Sequence, residues 1–216
     1  GDGALRRGHA AIALQQSALE HLVQRLVDLA AREKLGHRRV ENIARTRESG
    51  LEARGPGGRY HGSVHSNKGK VRIIAGEYRG RRIAVPDRPG LRPTPDRVRE
   101  TLFNWLGQHL QGQACLDLFA GSGALGFEAA SRGAARVVMV EKDREVHAAL
   151  AQAKPAMGAA QVEIVRADAL EYLAGAHGPF DVVFLDPPFR QNPLPGLLQR
   201  LAALLAPQAR VYLEAA

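Results

Sequence analysis

The segment "FDVVFLDPPF", residues 180–189, places a carboxylate, two prolines and an aromatic ring directly after an apolar run. The prolines stiffen the backbone and remove two amide donors, so the segment presents the Asp186 carboxylate, the Pro187 carbonyl and the Phe189 ring. Two acceptors beside a stacking ring suit a planar base that carries an exocyclic amine. Because the lone pair of such an amine is delocalised, bonds to Asp186 and Pro187 would orient it for attack on an electrophile. The alternative is an ordinary turn after a strand.

The segment "DLFAGSGALG", residues 117–126, carries a second motif, a G-x-G-x-x-G pattern that starts at Gly121. Glycines let the backbone approach a ligand closely, so the pattern alone fits a dinucleotide or S-adenosylmethionine. Glu141 stands 20 residues after Gly121 and suits ribose hydroxyls in both cases. Asp117 favours S-adenosylmethionine, because a carboxylate just before the glycines repels a pyrophosphate and attracts an ammonium group.

The elements that must position these motifs follow from the alternation of apolar runs with helical periodicity after Ala114. Near-continuous apolar strands joined by helices predict an α/β fold with a Rossmann-like, doubly wound, mostly parallel sheet. In such a sheet the ligand lies at the carboxyl ends of the strands, where both motifs fall. The predicted strands are "ACLDLFA", "RVVMVEKD", "VEIVRADA", "FDVVFLDPP" and "RVYLEA".

Two smaller elements precede the sheet. Short β-rich runs around "GEYRG" predict a hairpin over about residues 71–85. A helix is predicted to start near residues 94–96, where Pro95 suits the first turn. Its predicted buried face consists of Val98, Leu102, Trp105 and Leu106.

Residues 1–70 form a predicted N-terminal extension with two parts. Apolar residues at three-and-four spacing predict an amphipathic helix over residues 10–35. From residue 36 to residue 70, a composition rich in Arg, Gly and Ser predicts a flexible basic linker.

The charge of the chain is unevenly distributed. Residues 1–109 hold 21 Lys and Arg against 11 Asp and Glu, whereas residues 110–216 hold 9 against 11. The basic excess in the first half predicts a polyanionic partner, RNA or DNA, with a merely solvated basic surface as the alternative.

Composition also bounds the compartment and the redox chemistry. Cys115 is the single cysteine, which excludes an internal disulfide, and its apolar neighbours predict a buried thiol. No apolar run approaches the roughly 18 residues of a membrane span, and we expect a cytoplasmic protein without a membrane partner.

The glycine segment resembles the first strand and turn of class I methyltransferases. The resemblance implies that Asp168, in "RADAL", contacts the adenine of S-adenosylmethionine, although helix N-capping explains this residue equally well and is compatible with that role. The predicted cofactor-binding residues are Asp117, Phe119, Gly121, Ser122, Gly123, Glu141, Lys142, Asp168 and Ala169.

The segment "DPPF" resembles the [D/N]-P-P-[F/Y/W] motif of amino-methyltransferases, which act on base amines or, in one branch, on protein glutamine. The resemblance implies catalytic roles for Asp186, Pro187, Pro188 and Phe189. Methyl transfer needs no metal, and we expect none.

Residues 71–216 as a whole resemble the bacterial 16S rRNA guanine-2-amino methyltransferases of the RsmD type, on "VRIIAGEYRGRRIAVPDRPGLRPTPDRVRETLFNWL" as well as on the two motifs. The resemblance implies a methyltransferase domain over residues 71–216 that methylates a guanine 2-amino group in 16S rRNA of the small subunit or its assembly intermediate. We expect a monomer. Residues 71–92 are predicted to face the RNA. The predicted RNA contacts are Arg72, Arg79, Arg81, Arg82, Arg92 and Arg97.

The resemblance further implies that Arg92, Thr94, Arg97 and Arg99 border the substrate or cofactor site, with helix capping and surface ion pairs as the alternative. Class I methyltransferases usually continue past the fifth strand with a helix and a hairpin. We therefore expect C-terminal strands of the fold to be missing after "RVYLEA".

Other functions remain open at this stage. A DNA adenine or cytosine amino-methyltransferase shares the chemistry, but the sequence has no separate target-recognition domain. A protein-glutamine methyltransferase more typically has Asn at position 186. Asp117 and "DPPF" oppose an NAD-dependent oxidoreductase, and the complete set of site motifs opposes a non-catalytic RNA-binding module.

Overall fold

The computed structural model describes residues 41–46, 69–91, 93–176, 178–187 and 194–215. The helix predicted over residues 10–35 and most of the predicted linker lie outside the described residues. The same holds for three predicted site residues: Arg92, Pro188 and Phe189.

The centre of the fold is a six-stranded sheet in the order β1-β8-β7-β4-β5-β6, in which every pair of neighbours is parallel. This arrangement confirms the predicted α/β, doubly wound fold. The apolar runs form its inner strands because a parallel sheet covered on both faces leaves no polar side to a strand. The strands are β1 (Glu41–Thr46), β4 (Ala114–Asp117), β5 (Arg136–Val140), β6 (Val162–Val165), β7 (Phe180–Leu185) and β8 (Leu205–Ala215).

Helices cover both faces of the sheet. One apolar core lies between the sheet, the hairpin and the first three helices, and a second lies between the sheet and the last two. The helices are α1 (Asp96–Trp105), α2 (Ala124–Ser131), α3 (Arg144–Met157), α4 (Ala169–Gly175) and α5 (Leu194–Leu201), followed by a 3-10 turn (Ala202–Leu204). None of the helices in the described ranges has the length and apolarity of a bilayer-spanning segment.

The predicted hairpin is present, with β2 (Lys70–Arg72) antiparallel to β3 (Arg82–Ala84). Val71 and Ile83 point into the core, while the other strand residues face solvent. The loop between the strands packs on the end of α2, where Glu77 N donates to Ser131 O at 2.8 Å. Helix α2 begins at the carboxyl edge of the sheet and ends at the amino edge. Because the hairpin tip packs on the end of α2, the tip lies at the amino edge.

Gly76 permits this close packing of the loop on α2. A Cβ at this position would lie 1.8 Å from the Ser131 carbonyl oxygen, and the backbone φ of +82° disfavours other residues as well. Gly76, the first residue of "GEYRG", therefore fixes where the hairpin packs on α2.

The prediction for the buried face of α1 was wrong at Trp105, which is 53% exposed. Phe103 is buried instead, with its ring 5.9 Å from that of Phe184 and the Arg132 guanidinium 4.6 Å from its centre. The buried residues of α1 and its C-cap are Arg99, Leu102, Phe103 and Leu106, at three-and-four spacing, and Trp105 lies outside this stripe. Leu102 and Leu106 are buried as predicted.

Strand β1 lies inside the segment whose composition indicates a linker. It pairs in parallel with β8, with Glu41 opposite Arg210 and Thr46 opposite Ala215. An edge strand is held by backbone hydrogen bonds to a single neighbour, so it does not need a regular apolar pattern. A sequence as polar as "ENIART" therefore gives little periodic signal for a strand.

Candidate active site

Four acidic residues lie at the carboxyl edge of the sheet, because each one ends or follows a parallel strand. Asp117 ends β4, while Glu141, Asp168 and Asp186 follow β5, β6 and β7. The Asp186 and Glu141 charges both raise the pKa of Asp117, so these carboxylates lie within electrostatic reach of one another. The two sequence motifs and Glu141 are thus brought into one site.

Asp117 is the buried carboxylate of this site. Its Oδ2 accepts a hydrogen bond from Gly126 N at 3.1 Å. Burial, and next the charge of Asp186, raise its pKa to about 7, although the Gly126 and Phe119 amides act in the opposite direction. Its Oδ1 makes no hydrogen bond of normal geometry to any described residue. A buried acceptor without a donor is costly, and a cationic ammonium group fits it.

The glycine turn has backbone conformations that glycine alone adopts easily. Gly121 has a φ of +50°, and Gly123 has a φ of +75° at the N-terminal cap of α2. A Cβ on Gly123 would lie 2.6 Å from Leu150 Cδ2. The N-cap Gly123 has no side chain, and in the first turn of α2 the Gly126 amide already donates to Asp117 Oδ2, so only the helix amides before Gly126 can serve a ligand at the carboxyl edge.

Glu141 ties the glycine turn to the end of β5. Its Oε2 accepts from Gly121 N at 2.9 Å, and its Oε1 accepts from Asp143 N at 2.8 Å. Each carboxylate oxygen has capacity for a second donor, so the predicted contact with ribose hydroxyls is compatible with these bonds.

Asp168 is the N-cap of α4, which is the helix-capping role predicted for it as the alternative to adenine contact. Its Oδ1 accepts from Leu170 N at 2.9 Å, and its Oδ2 lies 4.0 Å from Lys142 Nζ. The cap holds Asp168 and the buried Ala169 at the same edge as the glycine turn.

Residues 86–91 and 93–95 lie across the carboxyl edge and are called the strap here, a feature that sequence reasoning missed. Arg88 NH2 lies 2.9 Å from Asp143 Oδ2 at the start of α3, and this contact lowers the pKa of Asp143. Leu91 lies against the glycine turn, 3.2 Å from where a Gly121 Cβ would stand. At the far end of the strap, Thr94 Oγ1 lies 3.5 Å from Asp186 Oδ2. The available signal was the density of prolines in "PDRPGLRPTP", which stiffens the segment.

Arg99 lies below this strap and is completely buried. Its guanidinium pairs with Glu128 at 3.2 Å and with Asp96 at 2.7 Å, and it donates to the carbonyl oxygens of Arg72 at 2.8 Å and Thr94 at 3.3 Å. Arg99 therefore borders the site from inside the protein, through ion pairs and a backbone contact to Thr94.

Glu128 is the centre of the buried polar network and was not predicted. Besides Arg99, it accepts from Ile74 N at 2.8 Å, Ala75 N at 3.0 Å and Arg132 Nε at 2.9 Å. The sequence signal for this network was the single charged residue in the otherwise apolar helix "ALGFEAAS". A carboxylate buried in such a helix requires hydrogen-bond or charged partners.

The arginines predicted to contact RNA occupy different environments. Arg81 NH1 donates to Met157 O at 2.6 Å, and its guanidinium lies 5.3 Å from the centre of the Tyr78 ring. Arg72 pairs with Asp96 at 3.4 Å on the surface. Arg79, Arg82 and Arg97 are exposed. The structure thus gives Arg81 an additional role, which is to fasten the hairpin to the end of α3.

Cys115 is buried, as predicted, and burial raises the pKa of its thiol to about 12. It is therefore unsuited to nucleophilic chemistry at neutral pH. Within the described ranges, no three His, Cys, Asp or Glu side chains cluster in a way that could hold a metal ion.

Known proteins resemble this chain over the same region. It is 47% identical over 156 residues to "Ribosomal RNA small subunit methyltransferase D" of Escherichia coli (strain K12), a match covering 69% of this chain and 77% of that protein. Identity to the protein of the same name from Haemophilus influenzae is 45% over 157 residues, which covers 68% of this chain and 79% of that one. The solved structure of a putative methyltransferase from Escherichia coli superimposes with a TM-score of 0.63 at 46% identity, covering 68% of this chain and 82% of that chain.

The fold, together with these relatives, defines the protein as a methyltransferase of class I. It belongs to the family described as "Conserved hypothetical protein 95", whose model matches residues 71–216.

Proposed function

We propose that this enzyme transfers a methyl group from S-adenosylmethionine to the exocyclic 2-amino group of a guanine in 16S rRNA of the small ribosomal subunit. The names of the relatives support the class of substrate. The observation that carries the proposed chemistry is the position of Asp186 near Asp117: β4 and β7 are parallel neighbours, and Asp117 lies opposite Phe184, two residues before Asp186. A cation-binding carboxylate and an amine-binding carboxylate thus share one site.

The proposed cofactor site uses groups already present at the carboxyl edge. Asp117 Oδ1 would take the ammonium group of the methionine part, Glu141 the ribose hydroxyls, and the segment at Asp168 and Ala169 the adenine. S-adenosylmethionine supplies a methyl group on a sulfonium, so the C–S bond breaks as the new N–C bond forms and sulfur keeps the electron pair. Gly121 and Gly123 provide the close approach of backbone that such a ligand needs.

Asp186 and Pro187 would hold the target base. The Asp186 carboxylate and the Pro187 carbonyl each accept one N–H bond from the 2-amino group, which turns the nitrogen lone pair toward the methyl carbon. Orientation of this kind supplies much of the rate of such a transfer. After the N–C bond has formed, the amine nitrogen is positively charged, and its surplus proton leaves to Asp186 or to solvent.

The proposed RNA-binding surface runs along the exposed face of the hairpin. Lys70, Arg72 and Arg82 share this face, Arg97 lies on α1 beside the carboxyl edge, and Arg79 lies at the hairpin tip. Helix α3 has 14 residues and so spans about 21 Å between the two edges of the sheet. We expect a guanine at Asp186 and phosphates along the hairpin to be contacted together.

Transfer of label from tritiated S-adenosylmethionine to undermethylated small subunits tests the proposed function. Asp186→Ala should lower the transfer rate at least about 100-fold with cofactor affinity nearly unchanged, because it removes the oxygen that accepts the N–H bond of the amine. Glu163→Ala, at an exposed position that pairs with Arg136, is the control and should retain the wild-type rate. A wild-type rate in Asp186→Ala would remove this residue from the mechanism.

A further inference from the structure

We propose that Thr94 is a positioning residue for the Asp186 carboxylate and that Arg99 holds Thr94 in place from below. This inference rests on the proposed function. It concerns a residue on the strap, outside both motifs that carry the chemistry.

The contact on which the inference depends joins Thr94 Oγ1 to Asp186 Oδ2 at 3.5 Å. This separation is longer than the roughly 2.5–3.0 Å of an ordinary O–H···O hydrogen bond, so the two groups lie next to each other without a fully formed bond. Hydrogen bonds at catalytic sites are often long without substrate and tighten in the reacting complex. The Thr94 hydroxyl is the donor here, since a carboxylate only accepts.

The local sequence makes the position of this hydroxyl reproducible. Thr94 stands between Pro93 and Pro95, so the backbone on both sides is restricted and Thr94 itself is kept extended. A β-branched side chain has few χ1 rotamers, which further limits where Oγ1 can point.

Arg99 anchors this stiff segment to the interior. Its Nε donates to the Thr94 carbonyl at 3.3 Å, and its backbone amide donates to the Pro95 carbonyl at 3.1 Å. Because Arg99 and its partner Glu128 are both completely buried, the guanidinium has no freedom to swing away. A buried ion pair, the strap backbone and the Thr94 hydroxyl thus form one continuous support for Asp186.

The consequence for transfer is geometric. A carboxylate can rotate about its Cβ–Cγ bond, and rotation would carry its oxygens away from the target amine. A hydroxyl that donates to Oδ2 fixes the plane of the group, and misplacement of a reacting group by about 1 Å costs on the order of 100-fold in rate. Thr94 itself neither gains nor loses a bond in the reaction.

Thr94→Val removes the hydroxyl with little change in shape, and Thr94→Ser keeps it. We expect Thr94→Val to lower kcat about 10-fold or more under saturating cofactor and small subunits, with KM and cofactor Kd within about twofold. Thr94→Ser should recover most of that loss. The matched control is Thr101→Val, since the Thr101 hydroxyl donates to Arg97 O within α1 at 2.9 Å, and it should keep the wild-type kcat.

Three results would overturn the inference. A wild-type kcat in Thr94→Val, with an active wild-type enzyme, contradicts the role of Thr94 alone. Equal losses in the Ser and Val variants assign the effect to packing of the methyl group. Absence of transfer by the wild-type enzyme itself is the failure of the proposed function, which removes the basis for this inference as well.

Discussion

Arg99 and Glu128 form an ion pair that is completely buried, with Arg99 NH1 3.2 Å from Glu128 Oε2. The pair joins α1 to α2, the helix that follows the glycine turn. Because Glu128 also accepts from the amides of Ile74 and Ala75, one carboxylate links the hairpin, α1 and α2. The hairpin and the site therefore share one buried support.

Loss of the Glu128 charge should destabilise the fold strongly. Glu128→Gln removes the only buried counter-charge described for Arg99 and leaves the half-exposed Asp96 as its carboxylate partner, and breaking a buried pair in this way costs about 3–5 kcal/mol. Urea unfolding followed by circular dichroism measures the change. Glu163→Gln is the control, because Glu163 pairs with Arg136 at 3.3 Å on the surface, where the expected cost is below about 1 kcal/mol. Equal losses in the two variants would contradict the assigned role of the buried network.

Asp117 should make stability depend on pH between about 4 and 7. Its pKa rises from 3.8 to about 7 on folding, so the folded state holds this proton more tightly than the unfolded state. The stabilisation from this proton is complete below pH 4, declines as the pH rises, and is lost above about pH 7.

Asp117→Asn isolates this contribution, because the amide stays neutral at every pH. Between pH 4 and pH 8, the free energy of unfolding of the variant should increase relative to that of the wild type by up to about 4 kcal/mol. The affinity of the variant for the cofactor should be lower than that of the wild type. Urea titrations of both proteins across this range give the difference. Parallel stability curves would show that Asp117 ionises normally in the folded protein.

Gly123 in the glycine turn can be compared with Gly112, a glycine outside the turn that has the same backbone φ. Gly123 and Gly112 both have a φ of +75°, but a Cβ at Gly112 would meet nothing within 4 Å. Gly112→Ala should cost about 1–2 kcal/mol from backbone strain alone. Gly123→Ala adds a clash with Leu150 and Phe127, so it should lose more stability and bind S-adenosylmethionine at least tenfold more weakly. Calorimetric titration and thermal unfolding measure both quantities, and equal behaviour of the two variants would contradict the tight packing of the turn.

Arg82 on the exposed hairpin face should contribute one phosphate contact. Arg82→Gln is expected to weaken binding to 16S rRNA and to reduce the slope of log Kd against log salt by about 1. Binding titrations between low and moderate salt measure this slope. Arg200→Gln removes an exposed charge from α5, on the other face of the sheet, and should leave the slope unchanged. An unchanged slope in Arg82→Gln would exclude the hairpin face from the RNA contact.

The sheet could be predicted from the sequence because its inner strands are apolar runs and its glycine turn is a local motif. The acidic residues of the site could be predicted for a related reason, since each one ends a strand or stands within three residues of its end. The network around Glu128 could not, because its partners lie up to 54 residues away and meet only through tertiary packing. Strand β1 was missed because an edge strand lacks the periodicity that marks buried elements. The exposure of Trp105 was missed because the buried stripe of α1 includes Arg99, whose burial depends on its tertiary partner Glu128.

The identity of the methylated nucleoside tests the central claim most directly. The 216-residue protein would be incubated with tritiated S-adenosylmethionine and undermethylated small subunits, and the rRNA digested to nucleosides. The account predicts label in 2-methylguanosine and none with Asp186→Ala. Label in a different nucleoside would contradict the guanine 2-amino assignment, and no label despite measurable cofactor binding would contradict the ribosomal substrate.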